Sequence, residues 1–306
     1  MFGNSKDLLG IRELPESEIT DILDRAVEMK KILMQRERKT SDLQGRTINT
    51  LFYENSTRTR LSFEMAAKMM SGIACNISAS GSSVAKGENL IDTAKTIDVM
   101  QTDVLIMRHG RSGAPHLVAR NVNAAVINAG DGLHEHPTQA LLDAFTIREH
   151  KGGFEGLKVT IAGDITHSRV ARSNIWLLTK MGAKVTLCAP MTLMPSKIDK
   201  MGVKVLNDID KAVKGADIVM GLRIQMERQK SGAFPNTAEY AKFFGINEER
   251  LALAKPDALL LHPGPVNREV ELSTFVMDGP QSVIGEQVTN GVAVRMAVIK
   301  KAIERV

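Results

Sequence analysis

Aromatic residues are scarce in this chain, making up 4% of 306 residues, with one Trp and two Tyr. So few π-faces argue against modules that bind nucleic acid by stacking bases. Cysteine is nearly absent: Cys75 and Cys188 stand in apolar, strand-like stretches without metal-ligand spacing. The expectation is two buried free thiols in a reducing compartment. No apolar run approaches the roughly 18 residues that a membrane span needs. The first residues, Met1 to Asp7, lack the charged and apolar regions of a signal peptide. A cytoplasmic protein without membrane contact is therefore expected. Charge of one sign is not concentrated anywhere. The net charge is +5 and the pI near 9.1, yet basic and acidic residues are interspersed and no basic tail exists. Small anions fit this surface better than a polyanion.

What is present is globular: 43% hydrophobic and 25% charged residues, in a chain long enough for two domains. The most informative stretch runs from Thr47 to Arg60. An apolar run, Thr47 to Tyr53, breaks into Glu54-Asn55-Ser56-Thr57-Arg58-Thr59-Arg60. Ser56 suits an N-cap, and Leu61, Met65, Ala66 and Met69 follow at helical spacing. Arg58 and Arg60 then sit in the first turn, where the helix dipole opposes each cation by roughly 0.3–1 kcal/mol. That placement makes sense if an anion binds there, because free N–H groups, hydroxyls and guanidinium forks together suit a phosphate. Two solvated arginines on a tolerant helix are the plainer alternative.

Around this stretch the pattern is α/β. Pro15 to about Arg38 reads as an amphipathic helix, followed by the strand and helix above and a short strand near Ile73–Ile77. Residues 78–88 form a polar, small-residue loop, and Asn89 to Met100 a helix. Val104–Met107 is a buried strand ending at Arg108, and Ala124–Ile127 is another. His136-Pro137-Thr138-Gln139 opens a helix to about His150, with His136 extended before Pro137 and Gln139 beside it in the first turn. A hinge or domain boundary is expected near Lys151-Gly152-Gly153, after which the pattern restarts. The strand Val159–Ala162 ends in Gly163-Asp164-Ile165-Thr166-His167-Ser168, which lacks the second and third glycines of a dinucleotide turn, so NAD is rejected. Arg169 again puts a cation at a helix start. Strands 184–188, 203–206, 216–220 and 257–261 follow. Arg223-Ile224-Gln225 comes just past the third of these, with Arg223 and Gln225 on one side. His262-Pro263-Gly264-Pro265 is a rigid turn, and a helix from Glu286 to Val306 closes the chain. Strands alternating with helices predict parallel sheets, with ligands beyond the strand C-termini and Arg58 and Arg108 on one rim.

Taken in this order, Ser56-Thr57-Arg58-Thr59-Arg60, His136-Pro137-Thr138-Gln139, Arg223-Ile224-Gln225 and His262-Pro263-Gly264-Pro265 make the sequence resemble the aspartate carbamoyltransferase catalytic-chain family along essentially its whole length. The resemblance implies two doubly wound parallel-sheet α/β domains joined by interdomain helices. Residues 1–136 plus 287–306 would bind carbamoyl phosphate and residues 137–286 L-aspartate, in a homotrimer with active sites between subunits. It implies Ser56, Thr57, Arg58 and Thr59 on the phosphate, and Thr59, Arg108 and His136 around the carbonyl oxygen. Gln139 and the backbone of Pro263, Gly264 and Pro265 would hold the amide of carbamoyl phosphate. Arg169, Arg223 and Gln225 would grip aspartate, with Ser82 and Lys86 reaching in from the neighbouring subunit, Lys86 among the catalytic groups. Glu54 and Arg228 would pair on domain closure. One common form of the family has a bulkier residue such as Leu at the position of Gly264, so the turn is expected to loosen while the chemistry survives. By the same resemblance the Gly264-Pro265 bond is cis.

The implied reaction carries the carbamoyl group from carbamoyl phosphate to the amine of aspartate, a step of pyrimidine biosynthesis. It needs positioning and charge stabilisation rather than a covalent intermediate. The sequence shows no nucleophile and base pair and no cluster with metal spacing, so neither cofactor nor metal is expected. A sister transcarbamylase acting on ornithine carries a Cys where Pro263 stands and an acidic residue to hold its cationic substrate; Arg223 and Gln225 favour an acidic one. A non-catalytic small-anion binding protein on the same fold is the other alternative. Whether a regulatory chain or another pathway enzyme also binds is left open.

Overall fold

Short runs of apolar and β-branched residues form the strands, and every pairing between the named strands is parallel. Parallel strands cannot be joined by tight turns, so each crossover carries helix or irregular chain, and covered strands read as continuous apolar runs. A computed structural model describes residues 5–78, 88–224 and 236–306. The chain divides into two units, Met1–Phe145 with Thr289–Val306, and Thr146–Val288.

The first unit holds α1 (Glu16–Leu33), β1 (Thr47–Phe52), α2 (Thr57–Met69), β2 (Ile73–Ser78), α3 (Leu90–Asp98), β3 (Val104–His109), α4 (Ala114–Ala119) and β4 (Ala125–Asp131). α5 (Pro137–Lys151) begins in it. Its sheet has the order β2-β1-β3-β4. Leu51, Leu105, Met107 and Val126 turn to one face, where Ala94, Ile97 and Val118 of α3 and α4 cover them. Each such fully buried Leu, Ile or Val contributes about 1.5–3 kcal/mol.

The second unit holds β5 (Lys158–Ala162), α6 (Arg169–Lys180), β6 (Lys184–Cys188), β7 (Lys204–Leu206), α7 (Ile209–Val213), β8 (Ile218–Gly221), α8 (Thr237–Phe244), α9 (Glu248–Leu251), β9 (Leu259–Leu261) and α10 (Thr274–Met277). Its sheet order is β7-β6-β5-β8-β9. Cys188, Val219, Leu260, Leu272 and Val276 lie in its core. α11 (Ile284–Ile303) follows, and the boundary between the units falls inside both α5 and α11. Two parallel sheets, each wound in both directions from an inner strand and flanked by helices, are the α/β architecture expected.

Several expectations need correction. Cys75 is exposed, because β2 lies at the sheet edge; only Cys188 is buried, and burial pushes its thiol up to about 12. On α2 the buried face is Thr59, Ser62, Phe63, Ala66 and Ala67, whereas Leu61 and Met65 are exposed. Spacing alone found the helix but rotated its apolar stripe. α1 stops at Leu33, since the polar stretch from Gln35 to Arg38 has no residue to bury.

Candidate active site

In an open parallel sheet, strand order reverses where two neighbouring strands send their crossovers to opposite faces, and the strand ends there leave a crevice. In the first unit this point lies between β1 and β3. Chain leaving β1 turns at Glu54–Ser56 and enters α2. Ser56 takes the N-cap position with extended backbone (φ −161°, ψ 95°), yet its side chain makes no capping hydrogen bond. In α3, α6, α7, α8, α9 and α10 the N-cap side chain does accept from a first-turn amide. The first turn of α2 also lacks an acidic residue. Its amides, with exposed Thr57 and Arg58 and buried Thr59, therefore compose an anion-receptive helix start.

β1 pairs with β3 so that Phe52 stands beside Arg108, which brings Arg108 to the same rim. The Arg108 Nη1 donates to the Ala129 carbonyl at 3.2 Å, and its Nε lies 3.5 Å from a Glu54 carboxylate oxygen. Glu54 thus faces Arg108 here. β4 ends at Asp131 and the chain returns through Glu135, whose carboxylate accepts from the amides of Ile11 (2.7 Å) and Arg12 (3.2 Å). That anchorage sets the start of α5. Buried His136 caps it through its carbonyl, which accepts from the amides of Gln139 (3.0 Å) and Ala140 (3.3 Å). The Gln139 Nε2 donates to Asp143 at 2.9 Å, turning its Oε1 into the acceptor available for a ligand amide.

Arg295 of α11 is buried and donates from Nη1 to the Ser62 hydroxyl at 2.8 Å, with its guanidinium 5.1 Å from the Phe63 ring centroid. Burial pushes its pKa down to about 10 while Asp143 opposes the fall, so it remains a cation at neutral pH. α11 is thereby tied to α2. Sequence reasoning missed this residue: nothing local links position 295 to position 62. Asp143 was legible in principle, since a carboxylate four residues after Gln139 shares its helix face.

The second unit has its own reversal point, between β5 and β8. Gly163 ends β5 at φ 138°, and a Cβ there would lie 2.4 Å from the Leu222 carbonyl oxygen, so only glycine lets the two strand ends close up. The turn that follows is held by Asp164, which accepts from the His167 amide at 3.1 Å, and Ser168 caps α6 by accepting from the Ala171 amide at 3.1 Å. Arg169 is the first residue of α6 and is buried; Arg223, just past β8, is half-buried. After β9, the next strand in the sheet, the His262 amide donates to Gln287 Oε1 at 2.9 Å. Its Nδ1 accepts from the Gly264 amide at 2.8 Å, which assigns the proton to Nε2, 3.4 Å from the buried Glu271 carboxylate. Gly264-Pro265 is cis as expected, and the Asn267 side chain donates to the Ile224 carbonyl at 3.4 Å, joining this turn to the segment of Arg223.

At the first unit's reversal point stand Ser56, Thr57, Arg58, Thr59 and Arg108, with His136 and Gln139 past the end of β4; at the second's stand Arg169 and Arg223, with Pro263, Gly264 and Pro265 past the end of β9. Ser82, Lys86, Gln225 and Arg228 lie outside the described residues.

Comparison with known proteins decides the family. The sequence family described as "Aspartate/ornithine carbamoyltransferase, carbamoyl-P binding domain" matches residues 6–149, and its companion "Asp/Orn binding domain" matches residues 155–301. The chain belongs to the aspartate/ornithine carbamoyltransferase family. Within that family it is 64% identical over 299 residues to the aspartate carbamoyltransferase catalytic subunit of Acetivibrio thermocellus, covering 98% of this chain and 96% of the relative. Among solved structures it is similar to aspartate transcarbamoylase from Trypanosoma cruzi in complex with N-(phosphonacetyl)-L-aspartic acid. There the TM-score is 0.88 at 31% identity, over 97% of this chain and 95% of that one. It also matches ornithine carbamoyltransferase from Pyrococcus furiosus, with TM-score 0.84 at 31% identity over 96% and 95%. The carbamoyltransferase fold is therefore common to both substrate classes, and the acceptor must be read from the side chains.

Proposed function

We propose that the chain is an aspartate carbamoyltransferase, moving the carbamoyl group of carbamoyl phosphate to the α-amine of L-aspartate to give N-carbamoyl-L-aspartate and phosphate. The observation that carries this reading is that each unit has a reversal point bearing cations, in a chain so similar to aspartate carbamoyltransferase catalytic subunits. The first unit receives carbamoyl phosphate. Ser56, Thr57, Arg58, Thr59 and the open amides of α2 bind its phosphate, and Arg58 offsets charge on the leaving group. Thr59, Arg108 and His136 donate to the carbonyl oxygen as it gains charge, while Gln139 Oε1 and the backbone of the Pro263–Pro265 turn orient the amide. Arg169, Arg223 and Gln225 hold the two carboxylates of aspartate, with Lys86.

The neutral amine attacks the carbonyl carbon, a tetrahedral intermediate forms, the bond from carbon to phosphate oxygen breaks, and the proton lost from the amine nitrogen leaves on the phosphate. No protein nucleophile is needed. Positioning two bound reactants and stabilising the oxyanion supply the rate, worth about 7–11 kcal/mol for the first. Ser82 and Lys86 come from a neighbouring copy, in a homotrimer; exposed Leu61 and Met65 on α2 and Ile73 on β2 offer apolar surface for such a contact. Glu54 exchanges Arg108 for Arg228 as the domains close. The chain works in the cytoplasm on the route to pyrimidines. With carbamoyl phosphate and either aspartate or ornithine, purified protein is expected to form carbamoyl aspartate and no citrulline; citrulline at a comparable rate, or no product from either, overturns the reading.

A further inference from the structure

Apart from the residues used above, three metal-ligating side chains meet in the first unit. A ring nitrogen of His116, a carboxylate oxygen of Asp131 and a ring nitrogen of His134 all lie within 4.8 Å of one another. They come from α4, the end of β4 and the turn that leads to His136. We propose that His116, Asp131 and His134 form a binding site for a first-row transition-metal dication of the zinc type, independent of the catalytic reading.

The donor set is right for such an ion, two imidazoles and a carboxylate with a fourth position left to water. Atoms bound to one tetrahedral zinc at about 2.0–2.1 Å are about 3.4 Å apart. The Asp131 Oδ2 and His134 Nδ1 are already 3.1 Å apart. The widest separation must close by about 1.4 Å, a ring movement open to a half-buried side chain on a helix of six residues. Asp131 is prepared in the way that ligating carboxylates are. It is fully buried, and its oxygens accept from the Gly113 amide (2.6 Å), the Asn128 Nδ2 (2.8 Å) and the Glu135 amide (3.2 Å), which fix its orientation. The remaining neighbour of those oxygens is the His134 Nδ1, and unlike the amides it is an atom that can bind a metal.

His116 supplies the second observation. Its Nδ1 is shut away from solvent and has no hydrogen-bond partner among the described residues. A buried ring nitrogen without a partner is destabilising if nothing ever satisfies it. The ring stands 5.4 Å from that of His134, edge to face. Two imidazoliums so close would repel, whereas two neutral rings sharing one dication would not. Glu13 adds negative field at both rings; Arg120 opposes it at His116. With side-chain exposure of 38% at His134, the ion has a path from solvent.

The motif escapes the sequence because positions 116, 131 and 134 show no recognised ligand spacing; only the turn after β4, carried back against α4, assembles them. A bound ion would clip α4 to that turn.

The test is titration of the full chain, stripped with a chelator, with Co²⁺ and then Zn²⁺, in a Cys75→Ser background so that the exposed thiol does not compete. One equivalent of Co²⁺ is expected, with d–d absorption of nitrogen and oxygen ligation, displaced by Zn²⁺, and with affinity falling about tenfold for each unit by which the pH is lowered, per proton released. Zn²⁺ should also raise the melting temperature. His116→Asn leaves the Asp131–His134 contact in place and should weaken binding at least tenfold and abolish the melting shift. Absence of saturable binding, or binding and melting shift unchanged in His116→Asn, overturns the proposal.

Discussion

His136 donates a hydrogen bond in the proposed reaction and is not asked to take a proton, and this sets two expectations at one position. His136→Ala should lower kcat on the order of 100-fold, as loss of one oxyanion donor does. His136→Gln, which keeps an N–H, should restore part of it; steady-state rates with carbamoyl phosphate and aspartate decide. Gly264 makes a different case. At φ 63° it occupies left-handed space, and a branched side chain there costs about 1–2 kcal/mol. The loosening expected from a glycine at this place meets a turn whose His262 and Gly264 amides are both hydrogen-bonded. Gly264→Leu is expected to lower the unfolding free energy by about that 1–2 kcal/mol and to raise the KM for carbamoyl phosphate, both measurable on one preparation. Residues of this kind were legible because their roles are written locally, as Ser-Thr-Arg-Thr-Arg, His-Pro-Thr-Gln and His-Pro-Gly-Pro. Arg295, Glu135 and Glu271 were not, because each acts on a partner or a turn that folding alone brings near.

At the scale of elements, α1 and α11 are joined by a charged seam. Lys301, buried on α11, is hydrogen-bonded to Asp21 and ion-paired with Glu18, while Arg305 Nη2 donates to Glu18 at 3.0 Å. Burial alone would raise both carboxylates, but the bonds from Lys301, with Arg305 on Glu18, win and hold them below their usual values of 4.5 and 3.8. A depressed carboxylate stabilises the fold above its unfolded pKa, and that contribution is lost as pH falls through the lower, folded one. The seam is therefore at full strength at neutral pH and fades below about pH 4. Lys301→Met should cost about 1–3 kcal/mol at pH 7 and flatten the acid limb of a stability-against-pH curve; an unchanged limb would show the seam to be inert. Long periodic elements such as α1, α6 and α11 were readable from spacing. The short helices α4, α7, α9 and α10 span too few turns to show a period, and the edge position of β2, which exposes Cys75, belongs to the sheet rather than to the strand's own sequence.

For the whole molecule, the alternation of strand and helix and the restart after Gly153 announced two parallel sheets, but not their strand orders, which come from pairing across the chain. Under the proposed function, one ligand that carries both a phosphonate and the two carboxylates of aspartate should stabilise the chain. N-(phosphonacetyl)-L-aspartic acid at a hundredfold excess over its Kd should add about 2.7 kcal/mol to stability, and phosphate with aspartate at the same concentration should add less, because unlinked ligands bind more weakly than one that joins both groups; calorimetric unfolding would tell. The two boundaries inside α5 and α11 bear on biosynthesis. Thr289–Val306 belong to the first unit but follow the whole of Thr146–Val288 in the chain. Domains generally complete folding as their sequence emerges from the ribosome. Here the amino-terminal portion must wait, its last helix still untranslated, while the middle of the polypeptide already has everything it requires.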